Sequence, residues 1–142
     1  MTEEKRTTMR VILCRPNEMA EVIEMEDSLE SMQKMVGGLI EEYMPWEDEV
    51  ALICNEEGKL NGMEYNRAIR DENGEVREII AGPFLIVGLD EDSFGSLSED
   101  MLKKYQRLFA QPEVFLQTQS QLLILPYAMD EFCSRDSGDM ER

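Results

Sequence analysis

Three hydrophobic patterns alternate along this chain, and each predicts a different kind of element. The first is a continuous apolar run bounded by turn residues. Met9 to Pro16 (MRVILCRP) is rich in β-branched and apolar residues and stops at a proline, and Val50 to Asn55 (VALICN) is apolar nearly throughout. Both predict strands, the second of them central to a sheet. Glu75 to Leu89 (EVREIIAGPFLIVGL) predicts one long strand or two, bent at Gly82-Pro83, because proline cannot donate to a central ladder.

The second pattern sets apolar residues among acids. Ala20 to Met25 (AEVIEM) predicts a strand pairing with the first, and Leu39 to Met44 (LIEEYM) another, ended by Pro45-Trp46 and the acidic turn Glu47-Asp48-Glu49. The third is helical spacing. Asp27 predicts an N-cap with Glu30 three residues on; Leu29, Met32 and Val36 follow, and Gly37-Gly38 supplies the stop. Ser96 and Ser98 offer caps for a longer helix on which Leu97, Met101, Leu102, Tyr105, Leu108 and Phe109 recur, until Pro112 ends it. A short helix is expected around Tyr65 to Arg70, before a tight turn at Asn73-Gly74.

These elements predict an α+β fold, a mixed or antiparallel sheet with two main helices packed on it. Its expected core is Val11, Leu13, Val22, Leu29, Met32, Val36, Leu52, Ile53, Ile79, Ile80, Phe84, Ile86, Leu102, Tyr105 and Phe109. At 142 residues the chain suits one domain, expected over residues 9–115 after a flexible polar arm, 1–8. Residues 116–142 form an appendage whose apolar segment, 122–129 (LLILPYAM), is too hydrophobic to stay wet. It is expected either to add an edge strand to its own sheet or to pair with a second copy as a homodimer contact.

Composition removes more chemistry than it suggests. The chain has no histidine, which excludes Ser-His-Asp triads, Cys-His pairs and His-ligated zinc. Cys14 and Cys54 lie inside apolar runs, Cys133 stands apart, and no CxxC pair exists, so buried thiols are expected rather than a redox or metal motif. Asp90, Asp92 and Gly95 fit the first, third and sixth places of a calcium loop, but Phe94 and Met101 occupy the fifth and twelfth. No metal and no cofactor are expected. MTEEKRTT holds no apolar h-region, and no apolar run approaches the roughly 20 residues of a membrane span, so a cytoplasmic protein without membrane contact is expected.

Charge is the largest anomaly. Asp and Glu number 31 against 14 Lys and Arg, a net −17, which argues against direct binding to duplex nucleic acid. Residues 16–57 hold thirteen acids and one base, Lys34. They read either as a solvated face or as a partner-binding face, with Glu41, Glu42, Glu47, Asp48 and Glu49 its candidates, presenting carboxylates where a host protein expects phosphates. The contrasting feature is basic. Lys59, Asn66, Arg67 and Arg70, with a glycine turn at Gly58, could line a cleft for an anionic small molecule such as a nucleotide signal. The plainer reading is that these bases, with Arg77, tie down acidic loops by ion pairs.

The stretch from Ala51 to Phe115 resembles the family catalogued as domain of unknown function 3846. The resemblance rests on Asn55 to Leu60 (NEEGKL), Gly62, Asn66-Arg67, Asn73-Gly74, Ile79-Ile80, Gly82, Phe84 and Ile86 to Gly88. Met63-Glu64 departs where a Leu-Pro pair is common, and Pro83 where a small polar residue is common. With the opening strand, helix and Gly37-Gly38, the likeness covers roughly residues 9–115. It implies an origin among bacterial mobile elements and phages, implies no activity, and nominates the Gly-Lys and Asn-Arg positions for a site. With no nucleophile and base in view, a non-enzymatic binding protein is expected. Its partner is a host protein, or alternatively an anionic ligand to be sequestered.

Overall fold

The computed structural model describes residues 7–91 and 93–126. The apolar runs become the middle of an antiparallel sheet. Strands β1 (Thr8–Cys14), β2 (Glu21–Glu26), β3 (Ile40–Tyr43), β4 (Val50–Asn55) and β7 (Phe84–Asp90) lie in the order β2-β1-β7-β4-β3, and a short β8 (Ser93–Gly95) pairs with β7. Every pairing in it is antiparallel, which resolves the mixed-or-antiparallel expectation.

The middle strands are continuously apolar because both faces of the sheet are covered. Successive side chains of a strand point to opposite faces. Val11, Leu13, Ala51, Ile53, Leu85 and Val87 share one face with Met32 of helix α1 (Leu29–Val36). Ile12, Cys14, Val50, Leu52, Phe84 and Ile86 share the other with Leu102, Tyr105 and Phe109 from helix α2 (Glu99–Leu108) and its C-cap. The outer strands β2 and β3 carry acids on their exposed positions, which discourages edge-to-edge pairing with other chains.

The expected core is largely inside, with Leu52 and Ile86 fully buried, Val22 and Ile79 half-buried, and Leu29 55% exposed. The buried stripe of α1 starts one turn later than its spacing suggested, at Met32. Its cap also differs. The Ser28 hydroxyl accepts from the Ser31 amide, while the Asp27 amide donates to the Thr7 carbonyl and so prolongs the β1–β2 ladder. In α2 the cap is Ser98, whose hydroxyl accepts from the Met101 amide.

Residues 65–70 form a strand, not the expected helix. β5 (Tyr65–Arg70) and β6 (Val76–Ala81) make a separate two-stranded sheet, joined through a turn in which the Asp71 carboxylate accepts from the Asn73 and Glu75 amides. The hairpin lays Ile69 and Ile80 on the α2 side of the core, and that non-local burial outweighs any local helical preference. The 75–89 run is two strands in two sheets. Gly82 breaks it at φ +84°, and a β-carbon there would fall 2.5 Å from the Met63 sulfur.

The C-terminal segment does not extend the central sheet. β10 (Leu122–Pro126) pairs with β9 (Glu113–Gln117), so the expected boundary at residue 115 falls inside a strand. The hairpin satisfies the backbone of 122–126 locally, which leaves the central edge β2 unextended. At the other end, Thr8 of the expected arm begins β1. Residues 1–6 and 127–142, with Cys133 and the last three positions of the expected apolar segment, lie outside the described residues, as does Asp92.

Candidate functional site

The basic cluster is built around a β-bulge. Tyr65 pairs with Ala81 and Arg67 with Ile80, so Asn66 is an extra residue opposite no partner. A bulge re-aims side chains, and here both Asn66 and Arg67 are buried, at 0% and 2% exposure. The Asn66 amide donates to the Cys14 carbonyl (3.0 Å) and the Gly82 carbonyl (2.9 Å), joining the end of β1 to the corner between β6 and β7. Its oxygen accepts from Arg67 Nη1 at 2.7 Å.

Arg67 is an interior clasp. Its Nε and Nη2 donate to the Phe109 carbonyl, Nη2 also to the Glu18 carbonyl (2.7 Å), and Nη1 to Asn66. Phe109 caps α2, so the guanidinium satisfies an orphan carbonyl at the negative end of the helix dipole. With five N–H donors on a guanidinium and as many hydrogen bonds, no donor is left for a ligand. Burial lowers the pKa of Arg67 from its usual value.

The remaining candidates of this cluster are paired at the surface. Lys59 meets Glu78 at 2.6 Å, Arg70 meets Glu113 at 2.9 Å, and Arg77 meets Asp71 at 3.0 Å. Backbone donation from Glu75, ahead of other contacts, holds Asp71 below the usual carboxylate range. Nor do the four candidates share one cleft. Arg67 and Arg70 border a cavity of about 310 Å³ beside Trp46 and Phe109, whereas Lys59 lies in another, of about 260 Å³, and Asn66 borders neither. Ion pairing explains Lys59, Arg70 and Arg77; Arg67 differs in having carbonyls instead of a carboxylate.

The acidic candidates sit on and around the edge strand β3. Glu41 pairs in register with Cys54 and Glu42 with Ile53, so the two carboxylates leave opposite faces of the strand. The 260 Å³ cleft on the Glu41 side is lined by Glu41, Glu56, Glu57 and Glu78, with Lys59 the single base. Asp48 stands apart from its neighbours: it accepts from Lys104 (2.5 Å) and from the Tyr105 hydroxyl (2.7 Å). Those hydrogen bonds, Lys104's first, hold its pKa below the usual value, while burial and then Asp48 raise that of Tyr105. Glu41, Glu42, Glu47, Glu49, Glu56 and Glu57 make no ion pair among the described residues. The sequence named the acids of this rim, but not Glu56, Glu57 and Glu78 as neighbours of Glu41. β3 to β4 pairing makes the first two so, and the packing of β6 beside β4 the third.

The two described thiols are inert. Burial pushes Cys14 up to about 12, and burial followed by Glu41 and Glu78 pushes Cys54 up to about 11, so neither offers a thiolate near neutral pH. Among the described residues no cluster of His, Cys, Asp and Glu is arranged to hold a metal ion, and no helix is long and apolar enough to cross a membrane. No curated protein and no solved structure matches the chain. A family model does, the domain of unknown function DUF3846, over residues 9–110. The chain belongs to that family.

Proposed function

We propose that this chain is a non-enzymatic accessory protein of a phage or mobile element, acting in the bacterial cytoplasm. Its β3 rim binds a host protein whose surface normally grips nucleic acid. The observation that carries this reading is the contrast in pairing: Glu41, Glu42, Glu47 and Glu49 make no ion pair among the described residues, whereas Lys59, Arg67 and Arg70 are all engaged. Carboxylates left without internal partners, on a short edge strand, are available to a basic surface. The acidic cleft beside Glu41 would take a lysine or arginine side chain of that partner. The absence of histidine and the raised thiols support a binding role over catalysis.

The alternative, sequestration of an anionic ligand by Lys59, Asn66, Arg67 and Arg70, has less support, because each already has a carboxylate or carbonyl partner. Calorimetry separates the two. Titration against purified host nucleic-acid-binding proteins is expected to give an association that weakens steeply as salt rises from about 50 to about 300 mM. It is expected to disappear in the combined variant Glu41→Gln, Glu42→Gln, Glu47→Gln, Glu49→Gln. A nucleotide that binds at micromolar concentration with little salt dependence would overturn the protein-binding reading.

A further inference from the structure

The β9–β10 hairpin is strongly apolar, yet none of its side chains is fully buried. Opposed residues of an antiparallel pair point to the same face. Phe115, opposite Ile124, stacks edge-on against Tyr65 at 5.4 Å, so that face turns toward the β5–β6 sheet. Glu113 anchors the same end of the hairpin, accepting from the Ala68 amide and from Arg70. The opposite face presents Val114 with Leu125 and Leu116 with Leu123. Leu116 is 46% and Leu125 44% exposed, and nothing among the described residues covers them. A two-stranded ribbon of this kind is marginal in water unless its apolar face packs on something.

We propose that a second copy of this chain covers that face, two hairpins packing across a twofold axis. Charge selects this occupant. Residues 114–129 form the longest run in the chain without an Asp, Glu, Lys or Arg, in a molecule of net charge −17. Two such molecules repel each other across any acidic surface, and this hairpin is where they can meet with no like charges opposed. A basic partner gains nothing there and is drawn to the β3 rim instead. An all-aliphatic patch is also self-complementary, as an isologous contact requires. The inference is independent of the rim reading, which uses other residues.

Sedimentation of the full chain tests it. The expected result is a species of twice the 16.4 kDa chain mass, persisting or strengthening when salt is raised to about 0.5 M, because repulsion is screened and no ion pair is lost. The variant Leu116→Glu, Leu125→Glu is expected to sediment as a monomer with an unchanged circular dichroism spectrum. Amide exchange of the wild type across a dilution series gives a readout that needs no variant: protection at 122–125 should fall as the protein is diluted. A wild type that stays monomeric at about 100 µM overturns the proposal. So does protection at 122–125 that is independent of concentration, which would mean that the chain's own residues beyond 126 cover the face. A dimer that dissolves on adding salt also overturns it.

Discussion

The basic cluster of residues 59–70 and the acidic rim of residues 41–57 treat charge in opposite ways. In the first, the fold uses every candidate internally: Arg67 joins β5, the β1–β2 loop and the end of α2, Asn66 joins two more chain segments, and Lys59 and Arg70 have carboxylate partners. In the second, Asp48 alone of the five sequence candidates is held, by α2, and the rest face solvent without ion pairs among the described residues. A motif rich in chemistry is therefore structural here, while most of the rim acids are the groups left over. What matters for recognition is the hydrogen-bonding capacity that remains after folding.

That contrast makes unequal predictions. Arg67→Met should be the most damaging, since it strands the Phe109 carbonyl and the Asn66 side-chain oxygen in the interior. A loss of about 3 kcal/mol or more is expected in urea unfolding. Arg67→Lys should recover only part of it, because one ammonium cannot span the fork. A loss below about 1 kcal/mol would mean the guanidinium is not the clasp described. Asn66→Ala should come next, at about 2 kcal/mol, from two abandoned carbonyls.

Asp48→Asn tests the one rim acid that the fold does hold. Because the carboxyl pKa is depressed in the folded state, its stabilisation is present above the ordinary carboxylate value and lost as pH falls through the lower folded value. The difference in Tm between wild type and variant should therefore be visible at neutral pH and shrink below about pH 4. A constant difference down to acid pH would remove the Lys104 and Tyr105 contacts from the account. The smallest effect is expected from joint neutralisation of Glu41, Glu42, Glu47 and Glu49 to Gln. With like charges relieved and no partner lost, Tm should rise slightly at low salt and the gain should vanish at about 0.5 M. A fall in Tm would show that these acids serve the fold after all.

Much of the central architecture was legible from the chain. VALICN and FLIVGL announce themselves because both faces of their strands are buried, so no polar alternation interrupts them. The α2 helix was legible through Ser98 and its apolar stripe, both local signals. What was not legible depends on distant chain. YNRAIR carries no strand alternation because a bulge turns Asn66 and Arg67 inward together, and their partners lie at Glu18 and Phe109. The role of Asn-Arg was invisible for the same reason. Spacing names the residues, but only the crossing of β5 with the end of α2 says whether their donors are engaged. Likewise LLIL announced a strand, but its partner at 113–117 lay partly across the expected boundary.

The position of β7 has a consequence for how the chain is made. It lies between β1 and β4, yet it emerges from the ribosome after both, with about seventy residues separating Cys14 from its register partner Phe84. Until Phe84 to Asp90 is out, the β1–β2 and β3–β4 hairpins each have one bare apolar edge and cannot be joined. The central sheet can therefore close only once residue 90 has been made, and the acids on β2 and β3 guard its outer edges, not the inner edges of β1 and β4 that β7 covers.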